Sequence, residues 1–322
     1  MKAIVYHTYG SADVLKCEEV EKPTPGDDEV LIRVRAASVN PLDWRLARAK
    51  PYMRRMMFRL GKAKITRPGV DVAGQVEAVG RNVSHFNPGD EVFGACYGAF
   101  AEYACTSESK LVIKPANVSF EQAASIPVAA LTALQGLRDK GKIQAEQAVL
   151  INGAAGGVGT FSVQISKWFG ANVTGVCSTR NLDLVRSIGA DRVIDYTQQD
   201  FTRSGQRYQL ILDCVGNHSA SACRRVLNPK GVCVIAGAPK ELGPMVARVL
   251  NALVLSPVVS QKFVMFIARL RKEDLAILGE LIAKGKVTPV IDRRYGLSEV
   301  PEAVRYLEQG HARGKVIITV EL

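Results

Sequence analysis

Residues 148–169 read AVLINGAAGGVGTFSVQISKWF, and the fold is decided here. Ala148–Asn152 is a short, mostly apolar run of the length a buried strand needs. Phe161, Ile165 and Trp168 then recur at helical spacing. Between the two lie Gly153, Gly156 and Gly159, so a strand turns sharply into a helix. Glycine there lets the backbone turn tightly and lets a diphosphate approach the amides at the helix N-terminus, with Ala155, Gly157 and Val158 filling the same turn. A glycine triplet alone would equally serve a structural turn. The strand and helix that flank it, and a second strand ending about 20 residues on, point instead to a dinucleotide site.

Working downstream, strands are expected at Asn172–Cys177, Arg192–Asp195, Leu210–Cys214 and Val232–Ala236. Helices alternate with them at Leu182–Ile188 and Ala220–Leu227. Alternation of this kind predicts an α/β domain with a doubly wound parallel sheet. The second strand ends in Ser178-Thr179-Arg180-Asn181. An NAD-selective site places a carboxylate there to accept from the ribose 2′-hydroxyl. Here Arg180 can form charge-assisted bonds to a 2′-phosphate, with Ser178 as a further donor, so NADPH is expected over NADH. The alternative is that Arg180 is an ordinary solvated charge opening a helix. Gly136-x-x-x-x-Gly141-Lys142 resembles a phosphate loop only superficially, because Ile143 replaces the hydroxyl residue and a helix precedes it.

Upstream, residues 1–120 read as mostly β, with runs such as Glu29–Ala36 and Asp71–Val79 between turn clusters, and Phe120–Leu137 shows helical spacing. After about residue 270 come a helix, Lys272–Lys284, and short strands ending in Lys315–Val320, a tail expected to return to the first domain. A length of 322 residues accommodates about two domains of roughly 100–200 residues each.

Composition narrows the function. Lys and Arg number 42 against 31 Asp and Glu, a formal charge of +11. Nine of the basic residues fall between Arg45 and Arg67 with no acidic residue among them, leaving +2 for the other 299 residues. No zinc-finger spacing or aromatic RNA-binding signature accompanies that segment, so no nucleic-acid partner is expected. Its middle interleaves Met53, Met56, Met57 and Leu60 with Arg54, Arg55 and Arg59. It reads as a substrate lid with an apolar inner face, or as an element making weak contact with an anionic membrane surface. The longest apolar region, Val246–Leu270, is broken by Arg248, Asn251, Pro257 and Lys262 and is not a spanning helix. Seven cysteines with no CxxC pair suit free thiols in a reducing cytoplasm, peripheral to a membrane at most.

Beyond the glycine turn, several further motifs stand in order. They are Val39-Asn40-Pro41-Leu42-Asp43-Trp44-Arg45, Pro68-Gly69-Val70-Asp71-Val72-Ala73-Gly74, and Gly89-Asp90-Glu91-Val92. Gly98-Ala99-Phe100-Ala101-Glu102-Tyr103, Ile126-Pro127-Val128-Ala129-Ala130-Leu131-Thr132-Ala133 and Gly314-Lys315-Val316 complete the set. Over nearly its whole length the chain resembles the zinc-free quinone oxidoreductase (zeta-crystallin-like) branch of the medium-chain dehydrogenase/reductase superfamily. The resemblance implies a GroES-like, mostly β catalytic domain from residues 1–120 and 270–322, and a Rossmann NADP-binding domain over 121–269. It places Ala155, Gly157 and Val158 at the pyrophosphate, and Ser178, Arg180 and Tyr196 around the 2′-phosphate. It also puts Val215 and Gly237 at the adenosine and nicotinamide ends, Thr132 beside the nicotinamide, and Lys315 on the cofactor from the returning tail. A homodimer is implied as well, and Phe263–Ala268 is an apolar run suited to pairing at a sheet edge, or to a buried core strand.

Zinc-dependent relatives carry a Cys, a His-Glu pair and a later Cys or Asp where this chain has Asn40, Val70-Asp71 and Pro127–Ala130. His7, His85, His218 and His311 are scattered, and Cys96 and Cys105 lack further ligands, so no metal is expected. Without a Lewis acid, oxidising an unactivated alcohol is hard. Hydride addition to a conjugated acceptor spreads charge onto a distant oxygen, where hydrogen-bond donors suffice. The expectation is therefore NADPH-dependent, zinc-independent reduction of a quinone or an α,β-unsaturated carbonyl. Asn40 is the candidate for orienting substrate or cofactor, or else a turn side chain before Pro41. Arg45 stands where some relatives have a Tyr; it can stabilise an oxyanion but is a poor proton donor. The rivals are an alcohol or aldehyde dehydrogenase and an NADPH-binding regulatory protein with little turnover.

Overall fold

The computed structural model describes residues 1–48, 67–237 and 260–321. Two compact units result, one from Met1–Ala129, Leu270–Lys284 and Ile291–Leu322, the other from Ala130–Arg269 and Gly285–Val290. The first unit runs to Ala129, inside the helix Pro127–Gln135, and resumes at Leu270. Gly285–Val290 is drawn into the second unit by Gln164, whose carboxamide donates to the Thr288 carbonyl (2.9 Å) and accepts from its N–H (2.7 Å).

In the first unit, β1 (Lys2–Val5) pairs with β2 (Lys16–Glu19). A seven-stranded sheet is built from β3 (Glu29–Val39), β4 (Asp71–Val79), β5 (Glu91–Ala95), β6 (Tyr103–Ser107) and β7 (Leu111–Ile113), with β14 (Ile291–Gly296) and β15 (Lys315–Thr319). The order is β14-β15-β3-β4-β5-β7, with β6 also on β3. β3 alternates apolar side chains onto a core shared with Ile4, Val72, Phe100 and Val316. Gly74 allows β3 and β4 to approach: a Cβ there would sit 2.2 Å from the Arg33 carbonyl oxygen. The helix Val300–Glu308 packs Val300, Ala303 and Val304 into the same core.

The second unit carries β8 (Ala148–Asn152), β9 (Asn172–Cys177), β10 (Arg192–Asp195), β11 (Tyr208–Asp213), β12 (Leu227–Ile235) and β13 (Lys262–Met265). Every pairing is parallel, in the order β10-β9-β8-β11-β12-β13. Counted from β8 this is 3-2-1-4-5-6, the doubly wound dinucleotide-binding order. The expected α/β architecture, a mostly β GroES-like part and a Rossmann part, is thus what the chain forms. Phe120–Leu137 is not one helix, however. It divides into Phe120–Ala124, capped by Ser119 and Gln122, and Pro127–Gln135, followed by a π-turn at Gly136–Lys140. Pro127 lacks an N–H and disfavours helical geometry at the residue before it, so the first helix stops there.

Candidate active site

The glycine turn forms as its sequence requires. β8 ends at Asn152, and the helix Gly157–Trp168 begins with Gly156 at its N-cap, without any side-chain cap. Gly153 has φ +84°, and a Cβ on it would lie 2.6 Å from Val215. On Gly159 a Cβ would lie 2.0 Å from the Gly153 carbonyl oxygen, so the helix packs on the turn only through glycine. Gly156 differs: its Cβ would meet only that oxygen, at 3.5 Å. The open side of the turn is thus a cradle at a helix N-terminus, where first-turn N–H groups have no intrahelical partner. It fits a dinucleotide diphosphate. Ala155 is buried beneath it, and Gly157 and Val158 lie half-buried at its edge.

The flanking positions are set by strand ends. Asp213, at the end of β11, faces Asn152 in register and accepts from its Nδ2 (2.9 Å), from Val215 N (3.1 Å) and from Gly216 N (2.9 Å). Those bonds shape the loop that presents half-exposed Val215. Gly237 follows β12, its N–H on the Asp213 carbonyl (2.9 Å), with no room for a Cβ against Cys214. Thr132 is half-buried on the helix Pro127–Gln135. Ser178 and Arg180 leave β9, and Tyr196 leaves the neighbouring β10 with 58% of its surface exposed. Two carboxylates here, Asp213 and Asp195, are not marked by any motif of the sequence. Asp213 closes an apolar strand, a place where a charge needs internal donors, and that was the available signal.

In the first unit, Asn40, Asp71 and the Val128 backbone converge. Asp71 is fully buried; its Oδ2 accepts from Ser38 Oγ (2.7 Å) and Asn40 Nδ2 (2.8 Å), and its Oδ1 accepts from Val128 N (2.9 Å). Lys315, 3% exposed, donates from Nζ to Asn40 Oδ1 at 2.7 Å and lies 3.4 Å from Asp71 Oδ2. Two of the three ammonium hydrogens of Lys315 are thus directed at Asn40 and Asp71. Both hydrogens of the Asn40 carboxamide are directed inward. One hydrogen is on Asp71 and the other points to the Ser38 carbonyl at 3.3 Å. The Asn40 N–H donates to Asp43 Oδ2 at 2.7 Å. Burial pushes the Asp43 carboxyl up to about 7, Asp71 adding to the effect while the Asn40 N–H and Lys315 oppose it.

This donor set does not fit zinc, since an ammonium has no lone pair and repels a cation. Among the described residues no three His, Cys, Asp or Glu side chains cluster as a metal site. Cys96 follows β5 and Cys105 lies within β6, on different strands, and burial raises their thiols to about 12 and about 11. Arg45 is half-buried on the helix Pro41–Arg48, its guanidinium 5.3 Å from the Trp44 ring, and burial lowers its pKa. Most of the basic segment Arg45–Arg67, residues 49–66, lies outside the described residues.

Comparison with known proteins gives the same architecture. Residues 26–116 match the alcohol dehydrogenase GroES-like domain and residues 188–318 a zinc-binding dehydrogenase domain. A chloroplastic quinone oxidoreductase of Triphysaria versicolor is 35% identical, covering 99% of this chain and 98% of its own length. A chloroplastic NADPH-dependent alkenal/one oxidoreductase of Arabidopsis thaliana is 36% identical over 99% of this chain and 79% of its own. The solved quinone oxidoreductase of Coxiella burnetii superposes with a TM-score of 0.84 at 30% identity, covering 100% of this chain and 99% of that one. With likeness of this extent running from end to end, the chain belongs to the quinone oxidoreductase branch of the medium-chain dehydrogenase/reductase superfamily.

Proposed function

We propose that the protein is an NADPH-dependent oxidoreductase that reduces a quinone or an α,β-unsaturated carbonyl. The carrying observation is the open glycine cradle at the head of the helix Gly157–Trp168, on a sheet of dinucleotide-binding order. The names of the relatives, quinone oxidoreductase and alkenal/one oxidoreductase, support the acceptor class. When bound, NADPH supplies a hydride to the acceptor. The chain's own part is to bind and orient. Gly157 and Val158 amides take the diphosphate, with Gly153, Ala155, Gly156 and Gly159 shaping the turn. Ser178, Arg180 and Tyr196 take the 2′-phosphate, Val215 and Gly237 line the adenosine and nicotinamide ends, and Thr132 flanks the nicotinamide. Asn40 acts as part of the Asp71–Lys315 network, a preorganised polar floor. Arg45 stabilises the developing oxyanion, and water delivers the proton, since a guanidinium holds its own.

In this reading residues 1–120 and 270–322 are catalytic and residues 121–269 hold the cofactor. Zinc takes no part; activity should survive chelation, and a stoichiometric metal whose removal abolishes turnover would refute this. We further propose a homodimer through β13, the edge strand of the sheet among the described residues, beside which Ile267 is 88% exposed. The nine charges of Arg45–Arg67 support a substrate lid with weak affinity for anionic membrane surfaces, tested by vesicle co-sedimentation at low and high salt. The seven free thiols favour a reducing compartment such as the cytoplasm, though both curated relatives named above are chloroplastic. The deciding experiment measures NADPH oxidation against quinones, alkenals and cyclic enones. Turnover of alcohols or aldehydes alone, or of none of the panel, would overturn the proposal.

A further inference from the structure

Tyr196 and Arg180 are both exposed side chains, so no core packing fixes them. Their backbones belong to the two loops that leave β9 and β10. Asp195 faces Cys177 across these strands, and the Tyr196 N–H donates to the Cys177 carbonyl at 3.0 Å. The Asp195 carboxylate spans both loops. Its Oδ2 accepts from Thr179 Oγ1 at 2.6 Å, and its Oδ1 accepts from Thr197 N at 2.9 Å and Thr197 Oγ1 at 2.8 Å. The two threonine hydroxyls lie 2.9 Å apart. Thr179 precedes Arg180 and Thr197 follows Tyr196, so one carboxylate ties together the residues beside both expected phosphate ligands.

We propose that Asp195 is a positioning residue for cofactor selectivity, a strut joining the two loops that carry Ser178, Arg180 and Tyr196. The proposal rests on the reading of those residues as the 2′-phosphate site. An acidic group near a phosphate invites the opposite expectation, that it disfavours NADPH. The two effects differ in size. The Asp195 charge is held below the usual carboxylate range, chiefly by the Thr179 hydroxyl, and is directed at internal donors. At a hydrated strand end, its repulsion of a phosphate is screened to less than about threefold in affinity. Losing three bonds to an ionised acceptor releases both loops, and a charge-assisted contact made by Arg180 weakens about 5- to 20-fold when its carrier is disordered.

The test is calorimetric titration of NADPH, NADH and adenosine 2′,5′-bisphosphate into the wild type and the variants Asp195→Ala, Asp195→Asn and Thr179→Val/Thr197→Val. In Asp195→Ala, NADPH and the bisphosphate should bind about 5- to 20-fold more weakly, with NADH changed less than twofold. Asp195→Asn, which keeps one acceptor oxygen, should fall between wild type and Asp195→Ala. The double threonine variant should reproduce the loss while keeping the charge, and it carries the test if Asp195→Ala melts early. Equal losses for NADPH and NADH would make the residue merely structural and overturn the proposal. Tighter NADPH binding in Asp195→Ala would overturn it in favour of charge. A wild type that binds NADPH and NADH equally would refute the underlying 2′-phosphate reading, a failure visible before any variant is made.

Discussion

Replacing Asp43 with Asn should change how the stability of the first unit depends on pH. The folded carboxyl is pushed up to about 7, whereas an unfolded aspartate titrates near 3.9. Between those values the folded chain holds a proton that the unfolded chain has released. The Asp43 contribution to stability is therefore most favourable below about pH 4, falls as pH rises, and levels off above about pH 7. One pH unit corresponds to about 1.4 kcal/mol, so the full descent approaches roughly 4 kcal/mol. Its origin is geometric. Asp43 is 2% exposed, and its Oδ1 is buried with no partner in hydrogen-bond geometry, although the nearby Gly69 amide favours the charged form. The chain has two tryptophans, and Trp44 packs against the core of the first unit. Trp168→Phe leaves Trp44 as the sole reporter for urea unfolding across pH 4.5–8. In that background Asp43→Asn should flatten the slope between pH 5 and 7 while still accepting from Asn40 N. An unchanged slope would refute the reasoning.

Other outcomes follow from the same geometry. Gly159→Ala should cost about 1–3 kcal/mol, because its Cβ must displace the Gly153 carbonyl. Gly156→Ala has space and should melt like the wild type, yet bind NADPH at least about tenfold more weakly, near 1.4 kcal/mol; unchanged binding would remove the diphosphate from the cradle. Arg180→Asp should lower NADPH affinity by about 10- to 150-fold with little effect on NADH, as paired titrations would show. Lys315→Met should destabilise the first unit by about 3–5 kcal/mol by stranding the Asp71 charge. Adding Asp71→Asn should recover at least about 1 kcal/mol in a double-mutant cycle, and additive losses would argue against the pair.

The parts of the molecule legible in sequence are those whose cause is local. The turn at Gly153–Gly159 announces itself because tight turns and close approach demand glycine at those positions, and β4, β8, β9 and β10 begin and end where their apolar runs do. Boundaries governed by competing local rules were blurred, as at Pro127, where helical spacing continues through a residue that cannot continue the helix. Least legible was the network around Asp71. Its members come from Ser38, Asn40, Val128 and Lys315, with the bonded pair Asn40 and Lys315 275 residues apart, and nothing in Gly314-Lys315-Val316 announces that the lysine turns inward. Asn40 read as an orienting side chain or a turn residue before Pro41, and its bonds to Asp71, Ser38 and Lys315 are a property of distant partners.

The sheet order of the first unit bears on how the chain is born. β3 takes its neighbour β15 from the far end of the chain, Val39 opposite Val316. At synthesis rates of about 5–20 residues per second, the N-terminal strands wait roughly 15–60 s before that partner emerges. Throughout that interval the Ala36–Val39 end of β3 displays unpaired N–H and C=O groups beyond the stretch that β6 covers, a template on which nascent chains pair with one another. The second unit has fewer such debts, since β8 through β13 emerge in one continuous stretch. The nascent chain should thus acquire protease resistance over its middle before its beginning, and translation pauses between residues 270 and 315 should prolong the hold of any chaperone bound to the first strands.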